Sequence, residues 1–389
     1  MMKAPLAVAL AVAAFLSAQP GLAQTAPERT WTRADDTRRI AFPVTARGEQ
    51  VLAIDTHTHT AFSDGVVWPT FRLWEAEQDH LAAYGVTDHL DYQRYKVDIR
   101  VGDHNRPYVI AEEEAKRIAS RVQPIRGTEI TRDLPWGHFN ALFLQDANAL
   151  PVDLSMKEDP RPALKAARAQ GAFVIWNHAW VFPGLEGASA DLMPARHRAL
   201  LSEGLLDAME IANSLQYSAA AFDVALKSGL AVIGASDVHT AIDVDSQIPE
   251  GQHRTATLVI AKDGSLPAIQ EALAQKRTAA IFRQSVYGRE RELSEIVGGA
   301  LRIASRKRAE SFLAKDIVEI ELTNDAFMPF QLRFTSVAPL TTPRVVTIPA
   351  HGRLSLQFVN IADMDGFTLQ AQVLNAFTDP RTNLTLTLR

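Results

Sequence analysis

Short apolar runs alternate with longer amphipathic stretches between about Val51 and Arg283. The runs are VLAID, LAAYGVTDH, VQPIRGTEI, FNALFL, GAFVIWNH, LLDAMEIAN and GLAVIGASD, and each has the length and content of a buried strand. The stretches with helical spacing are Trp68–Leu81, Ile110–Val122, Pro162–Gln170, Ala195–Glu203 and Ala219–Lys227. Helices that connect parallel strands build an α/β barrel or a doubly wound sheet, and about seven strand–helix units favour the barrel.

The pattern changes after about Glu292. Short runs with period-two alternation follow, separated by turn-forming segments such as TNDA, PAHG, ADMDG and TDPRTN. The runs are IVEIELTN, FQLRFTSV, RVVTIPA, RLSLQFVNI, FTLQAQVLNA and LTLTLR, which predict a small all-β sandwich. We therefore expect an α/β barrel over residues 51–292, a β-sandwich over residues 293–389 and a polar N-terminal extension over residues 24–50.

Residues 1–23 have the pattern of a secretory signal peptide. Lys3 forms a short positive region, and the apolar segment from Pro5 to Ser17 is too short to span a bilayer comfortably. Small residues around Leu22 indicate cleavage after Ala23. The protein is therefore expected in the periplasm or in the medium, with no membrane span once the signal peptide is removed.

Composition excludes several classes of function. The formal net charge is -5, so there is no basic field of the kind that binds nucleic acid. A phosphorylated substrate stays compatible with this charge, because bound metal ions supply local positive charge. The chain contains no cysteine, which excludes disulfides, thiolate metal sites and cysteine nucleophiles. Nothing in the sequence indicates an oligomeric state.

Ligand-type side chains recur where the apolar runs end. The histidines and carboxylates in this context are His57, His59, Asp64, His89, Glu129, His138, His178, Asp237 and His239. Strand ends of an α/β barrel converge on one face, so these nine side chains are expected in one cleft. Residues i and i+2 of an extended segment point the same way, which lets His57 and His59, or Asp237 and His239, bind one ion. Nine ligands of this type predict two or three divalent ions of zinc, manganese or iron.

Each of these motifs is weak when it is taken alone. A single histidine at a strand end is usually a satisfied polar residue, and an SDG segment is usually only a turn. The metal-site hypothesis depends on the joint occurrence of nine such residues. The remaining histidines of the predicted barrel, His80, His104, His197 and His253, are expected at the surface or in supporting positions.

The ordered motifs DTHTHTAFSDG, GVTDH, GTEI, NHA and ASDVH resemble those of the polymerase and histidinol phosphatase (PHP) superfamily, over roughly Ala53 to Arg283. The resemblance implies a distorted (β/α)7 TIM-like barrel with two or three divalent ions. The β domain resembles small sandwiches appended to some exported PHP-like phosphodiesterases. The implied ligand sets are His57, His59, Glu129 and Asp237 for one ion, Glu129 as a bridge with His138 and His178 for a second, and Asp64, His89 and His239 for a third.

The predicted reaction is hydrolysis of a small phosphate ester, with a diester favoured, by a metal-bridging hydroxide. Glu129 and Asp237 are the candidate catalytic residues, although ligation and proton transfer compete for the same lone pairs. The long segment LDYQRYKVDIRVGDHNRPYVI after His89 either shapes substrate access or is a tolerated insertion. Candidate substrate contacts are the arginines Arg132, Arg283 and Arg94 and the tryptophan Trp180, with Trp136 and Trp176 as further candidates for a pocket wall.

Three alternatives to a phosphodiesterase stay open. The first is a phosphomonoesterase of the same family. The second is an amide or lactone hydrolase, because a bridging hydroxide also attacks carbonyl carbon, although that reaction needs only one or two ions. The third is an inert metal-binding periplasmic protein, which would have no need of every ligand-type position.

Overall fold

The computed structural model describes residues 39–99, 101–181, 193–248, 253–309, 317–336, 344–359, 364 and 366–389. They belong to one structural unit, Asp36–Arg389. The predicted signal peptide and the first part of the predicted N-terminal extension lie outside the described residues. Over the described ranges, no helix has the length and apolar content needed to cross a bilayer.

The first part of the described chain alternates strands and helices. Its strands are β1 (Gln50–Asp55), β2 (Ala83–Val86), β3 (Gln123–Ile130), β4 (Phe139–Leu142), β5 (Phe173–Trp176), β6 (Ala208–Asn213), β7 (Gln216–Tyr217), β8 (Ala231–Ala235), β9 (Ala256–Ala261), β10 (Thr278–Phe282) and β11 (Ser285–Gly288). Its helices are α1 (Pro69–Gln78), α2 (Arg106–Arg117), α3 (Arg161–Ala169), α4 (Ala195–Ser202), α5 (Ala219–Lys227), α6 (Ile242–Asp245), α7 (Leu266–Ala274) and α8 (Glu290–Ala300).

These strands form the wall of a distorted barrel, as the sequence predicts. The strands β1, β2 and β3 are parallel neighbours, and so are β5, β6 and β8. On the other side, β9 is antiparallel to both β1 and β10. The segments that follow β1 and β8 meet at the mouth, where Thr58 pairs with Val238. The backbone N–H of Asp237 donates to the carbonyl of His57 over 2.9 Å.

The strand β4 departs from the expected alternation of parallel strands and helices. It lies between β3 and β5 and is antiparallel to both. Only residues 131–138 connect β3 to β4, whereas a crossover between parallel strands needs a dozen residues or more. The short connection therefore forces the chain to reverse direction, and the N-terminal end of β4 lies at the barrel mouth.

The apolar runs are continuous because both faces of the barrel strands are buried. Side chains inside the barrel form one core cluster that includes Ile54, Ile125, Leu142, Ile175 and Ile233. The outer faces of the strands pack against the helices. Strands buried on both faces lose the alternation of apolar and polar residues that half-exposed strands show, which explains the pattern of the sequence.

The C-terminal part of the described chain forms two antiparallel layers, as predicted. One layer contains β12 (Leu301–Ala309), β13 (Ile317–Asn324) and β16 (Gly352–Phe358), with β13 in the middle. The other contains β14 (Phe330–Phe334), β15 (Val345–Ile348), β17 (Leu369–Asp379) and β18 (Thr382–Leu388). Alternate residues of β14 are buried, which is typical of a strand in a sandwich.

The sandwich joins the barrel through a shared sheet. The strand β11 at the edge of the barrel pairs in parallel with β17, with Val286 opposite Ala376. Tyr287 of β11 stacks on Phe377 of β17 at a ring-centroid distance of 5.1 Å, and on Tyr217 of β7 at 4.5 Å. The domain boundary that we place between residues 292 and 293 falls within α8 and stays a prediction.

A buried arginine stabilises the barrel next to its mouth. Arg254 is 2% exposed, and its guanidinium donates to Asp55 over 2.7 Å and to Asp79 over 2.8 Å. Asp55 ends β1 and Asp79 follows α1, so one cation holds two elements of the wall. Removal of one partner of a buried ion pair leaves an uncompensated charge, which is strongly destabilising.

We therefore expect Arg254→Met to lower the free energy of unfolding by about 3–5 kcal/mol, because Asp55 and Asp79 stay buried without their cation. Urea denaturation monitored by circular dichroism would measure the loss. Arg291→Met is the control, since that side chain is 65% exposed and a change of less than about 0.5 kcal/mol is expected. Equal losses in the two variants would contradict the assignment.

Candidate metal centre

The structure brings the nine predicted ligand side chains to one end of the barrel. His57 and His59 follow β1, His89 follows β2, and His178 follows β5. Because β4 runs in the opposite direction, His138 reaches the same end from the residue before that strand. The remaining members are Asp64 in the loop before α1, Glu129 on β3, and Asp237 and His239 after β8.

The side chains form three groups whose ligand atoms lie within 4.8 Å of one another. The first group contains His57, His59 and Asp237. The second contains His57, Glu129 and His178. The third contains His59, Asp64, His89 and His239. The division resembles that implied by the PHP motifs, with three differences. The first group lacks Glu129, the second contains His57 where the motifs imply His138, and the third also contains His59.

Glu129 lies at the centre of the cluster. Its Oε1 lies 3.1 Å from His138 Nδ1 and 3.3 Å from His57 Nε2, and its Oε2 lies 2.8 Å from His89 Nδ1. The carboxylate is 1% exposed, so it contacts these rings and not bulk water. A carboxylate placed between several imidazoles has the position that a bridging ligand requires, and this role stays a prediction.

Carboxylates dominate the electrostatics of two histidines. Burial disfavours the His57 imidazolium, but Asp237 and Glu129 outweigh it and raise the His57 pKa well above its ordinary value. Burial likewise opposes protonation of His89, yet Glu129 and Asp64 raise the His89 pKa to about 10. The cavity thus carries an excess of negative charge that attracts either protons or metal cations.

His59 shows the opposite behaviour. Burial, together with the neighbouring His239, lowers the His59 pKa to about 3 although Asp237 favours the charged form. Burial raises the pKa of each cleft carboxyl, but adjacent imidazoles outweigh it and hold the pKa values of Glu129, Asp237 and Asp64 below their ordinary range. Ionised carboxylates beside a neutral imidazole are the protonation states in which these groups bind a metal.

Several buried atoms in the cluster indicate that the residues fit metal ions. Within the described residues, His57 Nε2, His59 Nε2 and Glu129 Oε2 are buried and make no hydrogen bond of acceptable geometry. Buried polar atoms are nearly always paired, so three such atoms side by side indicate that these residues fit a metal cation. The mixture of imidazole nitrogen and carboxylate oxygen suits zinc, manganese or iron.

The sequence analysis missed Glu210, which is fully buried in β6. Its Oε1 lies 2.8 Å from His57 Nδ1, and its Oε2 accepts hydrogen bonds of 2.8 Å from the His178 backbone N–H and 2.9 Å from Asn213 Nδ2. Donation from His57 Nδ1–H to Glu210 leaves His57 Nε2 for a metal. The available signal was a single charged residue inside the apolar run AMEIA.

Other residues that orient the ligands were also missed. Asn177 Nδ2 donates to Glu129 Oε1 over 2.8 Å, and Thr131 Oγ1 lies 2.6 Å from His89 Nδ1. Asp88 accepts a hydrogen bond of 2.7 Å from the Ser63 hydroxyl and so holds the turn that carries Asp64.

Glycine is required in the same turn. A Cβ on Gly65 would lie 2.7 Å from the His59 carbonyl group, closer than side-chain carbons approach backbone. The SDG segment therefore packs closely against the segment that carries His59, and this contact requires glycine at position 65.

Two of the nine residues have a strained backbone. Asp237 has a φ of 51° and His178 a φ of 22°, both in the left-handed region that non-glycine residues rarely adopt. Such conformations persist only where the surroundings impose them, and they cluster at functional sites. Strain at the ends of β5 and β8, the two strands on either side of β6, supports a cleft shaped for function.

The structure uses three of the predicted substrate contacts for packing. Arg132 is 2% exposed, and its Nη1 donates to Asp91 over 2.5 Å, so its guanidinium is part of a buried ion pair. Trp176 is 2% exposed and stacks on His197 at 4.0 Å, and Trp136 also contacts His197. His197 is 2% exposed and is therefore part of the core, and this burial lowers its pKa to about 4.

The other predicted contacts lie at the barrel rim. Arg94 is exposed, and its backbone N–H donates to the Ser63 carbonyl over 2.9 Å, beside Asp64. Arg283 is exposed in the turn between β10 and β11. Trp180 donates from Nε1 to Gln216 over 3.0 Å. These positions are compatible with substrate contact, and the roles stay predictions.

Comparison with known proteins identifies the family. A crystal structure from Bacteroides vulgatus, described as a two-domain protein containing a predicted PHP-like metal-dependent phosphoesterase, is 35% identical to this chain. The match has a TM-score of 0.77 and covers 90% of this chain and 98% of that one. The chain belongs to this two-domain, PHP-like family. Residues 305–389 also match a family described as an Ig-like domain, which confirms the β-sandwich.

Two further relatives are more distant. A structure from Bifidobacterium adolescentis, provisionally described as a metal-dependent phosphoesterase, is 18% identical, with a TM-score of 0.36 over 48% of this chain and 87% of that one. An uncharacterised protein of Methanocaldococcus jannaschii is 34% identical over 84 residues. That match covers 22% of this chain and only 36% of the relative.

Glu210→Gln tests how this member of the PHP-like family orients its first histidine. An amide nitrogen in place of Oε2 would face the N–H donors of His178 and Asn213, and donors repel one another. The side chain would then shift, and its contact with His57 would be misaligned. We expect metal affinity to fall about 10–100-fold, measured by competition with a chromophoric chelator. Glu271→Gln on the exposed face of α7 is the control. Equal affinities in the two variants would refute the orienting role.

The pKa shifts predict how pH affects the metal-free protein. The folded His89 pKa, about 10, lies above the ordinary value of 6.5, so the folded state holds more protons between these limits. Stability of the metal-free protein should therefore be full below pH 6.5 and fall as pH rises towards about 10. Thermal unfolding of the protein in the presence of a chelator, at several pH values, would measure this fall in stability. A midpoint that rises over this range would contradict the assignment, and bound metal should reduce the dependence.

Proposed function

We propose that the chain is a metal-dependent hydrolase of small phosphate esters, with phosphodiesters favoured over monoesters. The observation that carries the proposal is the convergence of three ligand groups around Glu129 at one barrel mouth. Membership of the PHP-like family supports it, because the neighbour from Bacteroides vulgatus is described as containing a metal-dependent phosphoesterase. The proposed location is the periplasm or the medium, on the basis of the predicted signal peptide.

The ligand groups supply the chemistry that phosphate ester hydrolysis needs. Divalent ions, when bound, activate water as a nucleophile and neutralise the equatorial oxygens of phosphorus. Glu210 keeps the His57 proton on Nδ1 and directs Nε2 to the cleft. Glu129 and Asp237 are the proposed catalytic carboxylates, and they stay ionised because neighbouring imidazoles hold their pKa values down.

Charge balance supports a centre with two or three ions. Four carboxylates, Asp64, Glu129, Glu210 and Asp237, contact the six imidazoles of the cluster. With neutral imidazoles, two divalent ions would offset these charges. A third ion would add positive charge, which an anionic phosphate ester would offset on binding. We propose two or three ions of zinc, manganese or iron.

The proposed preference for diesters rests on the predicted export of the protein. Trp176 is buried in the core and the half-buried Trp136 packs against His197, so neither supports the preference for diesters. Arg94 and Arg283 are the proposed cationic contacts for phosphate oxygens, since both are exposed. Arginine suits that role because its planar fork matches two oxygens at once.

Asp64→Ala tests the proposal. The change should remove one ion per chain and lower turnover at least about tenfold, because Asp64 contacts both His89 and His239. Elemental analysis gives the metal content, and p-nitrophenyl phosphate, bis-p-nitrophenyl phosphate and p-nitrophenyl acetate report the reaction class. Asp98→Ala, an exposed carboxylate in the loop after β2, is the matched control.

The wild-type assays decide the reaction. Faster turnover of the diester than of the monoester supports a phosphodiesterase, and the reverse order selects the monoesterase alternative. Turnover of the acetate alone would move the assignment to carbonyl hydrolysis. Bound metal without turnover of any ester would favour an inert metal-binding protein.

A further inference from the structure

Three aromatic side chains stand around the mouth of the metal centre. Trp68 is 47% exposed and Tyr92 is 38% exposed, and Phe62 is half-buried. Phe62 and Trp68 lie in the connection from β1 to α1, where their ring centroids are 5.0 Å apart. Tyr92 lies three residues after His89. We call these three side chains the aromatic rim. Phe62 and Trp68 form a contiguous aromatic pair, and contiguous exposed apolar surface often marks a ligand-binding site.

The loops that carry the aromatic rim contact predicted ligand residues. The Tyr92 ring meets the His89 ring edge-to-face at 5.6 Å. The backbone N–H of Val66, between Phe62 and Trp68, donates to the His239 carbonyl over 2.8 Å. The two loops that carry the rim are joined by the hydrogen bond from Arg94 to Ser63. The rim therefore has a fixed position beside the group formed by His59, Asp64, His89 and His239.

This ligand group contains the most exposed of the nine ligand side chains. The side chain of His239 is 36% exposed, compared with 22% for His138, 17% for Asp237 and 16% for Asp64, whereas those of His57, His59 and Glu129 are at most 1% exposed. A phosphate group that enters the cleft from solvent meets the exposed ligands first. Its organic substituent must then extend outward across the side chains that surround them.

We propose that the aromatic rim is a subsite for an apolar, ring-bearing substituent of the phosphate ester. Phe62, Trp68 and Tyr92 remove that substituent from water while its phosphate group lies beside the exposed His239 and Asp64. The rim thereby selects aryl esters over small alkyl esters. This inference rests on the proposed phosphoesterase function, and it names the substrate class of the same site.

Binding of two phosphonates to the Mn²⁺-loaded full chain tests the subsite by calorimetry. Phenylphosphonate and methylphosphonate carry the same anionic head group, so their affinity ratio isolates the contribution of the ring. We expect phenylphosphonate to bind at least about tenfold more tightly, a factor typical of burial of one ring face. Trp68→Ala and Tyr92→Ala should each lower the ratio towards about threefold.

Two matched variants complete the design. Tyr92→Phe should keep the wild-type ratio, because the ring and not the hydroxyl forms the rim. Val97→Ala, whose side chain is 91% exposed in the same loop, should also keep it. A ratio in Trp68→Ala and Tyr92→Ala equal to that of Val97→Ala would overturn the inference.

The other outcomes separate the inference from the function on which it rests. Equal wild-type affinities for the two phosphonates, with turnover of phosphate esters intact, would overturn the subsite and leave the proposed function standing. An unchanged ratio in the alanine variants together with loss of self-association on size exclusion would reassign the rim to contact between copies of the chain. No binding of either phosphonate and no ester turnover would overturn both proposals.

Discussion

The closure of the barrel mouth depends on one buried carboxylate, Asp55. Its Oδ1 accepts the backbone N–H groups of His57 at 3.2 Å and Ser236 at 3.1 Å, and its Oδ2 accepts Arg254 at 2.7 Å. Asp55 therefore joins the end of β1 to the end of β8, and these two strand ends carry His57, His59, Asp237 and His239. Asp55 is buried there as part of an ion pair with Arg254, whose guanidinium compensates the cost of burying the carboxylate.

The carboxylates that face the cleft are neutralised in a different way. Within the described residues, none of the ion pairs joins Asp64, Glu129 or Asp237 to a lysine or arginine, and their close partners are imidazoles. An imidazole gives up its proton when one of its nitrogens binds a metal ion, whereas a guanidinium group stays protonated. Asp55 and Asp79 thus keep a permanently charged partner in Arg254. The carboxylates of the cleft have imidazole partners, whose positive charge a metal ion can replace. This difference separates the residues that hold the fold from those that bind ions.

The sequence predicted what local pattern determines. The pairs His57/His59 and Asp237/His239 follow apolar runs at a spacing of two, and both facts are visible within a few residues. Glu210 and Arg254 were missed because their roles depend on partners more than a hundred residues away. The direction of β4 was missed for a related reason. An apolar run predicts a buried strand, but its orientation is set by the length of the connection before it.

The position of the β-sandwich follows from the edge of the barrel sheet. Without a partner, β11 would present unpaired backbone groups and the Tyr287 ring to water, and exposed edges of this kind promote aggregation. Pairing with β17 covers the edge, and Phe377 covers the ring. The other face of Tyr287 packs on Tyr217, which is next to Gln216, the acceptor for Trp180 after β5. The sandwich therefore supports β7, which contacts the cleft wall through the hydrogen bond between Gln216 and Trp180. Removal of the sandwich would expose the edge strand β11 and weaken the packing of Tyr287 that supports β7.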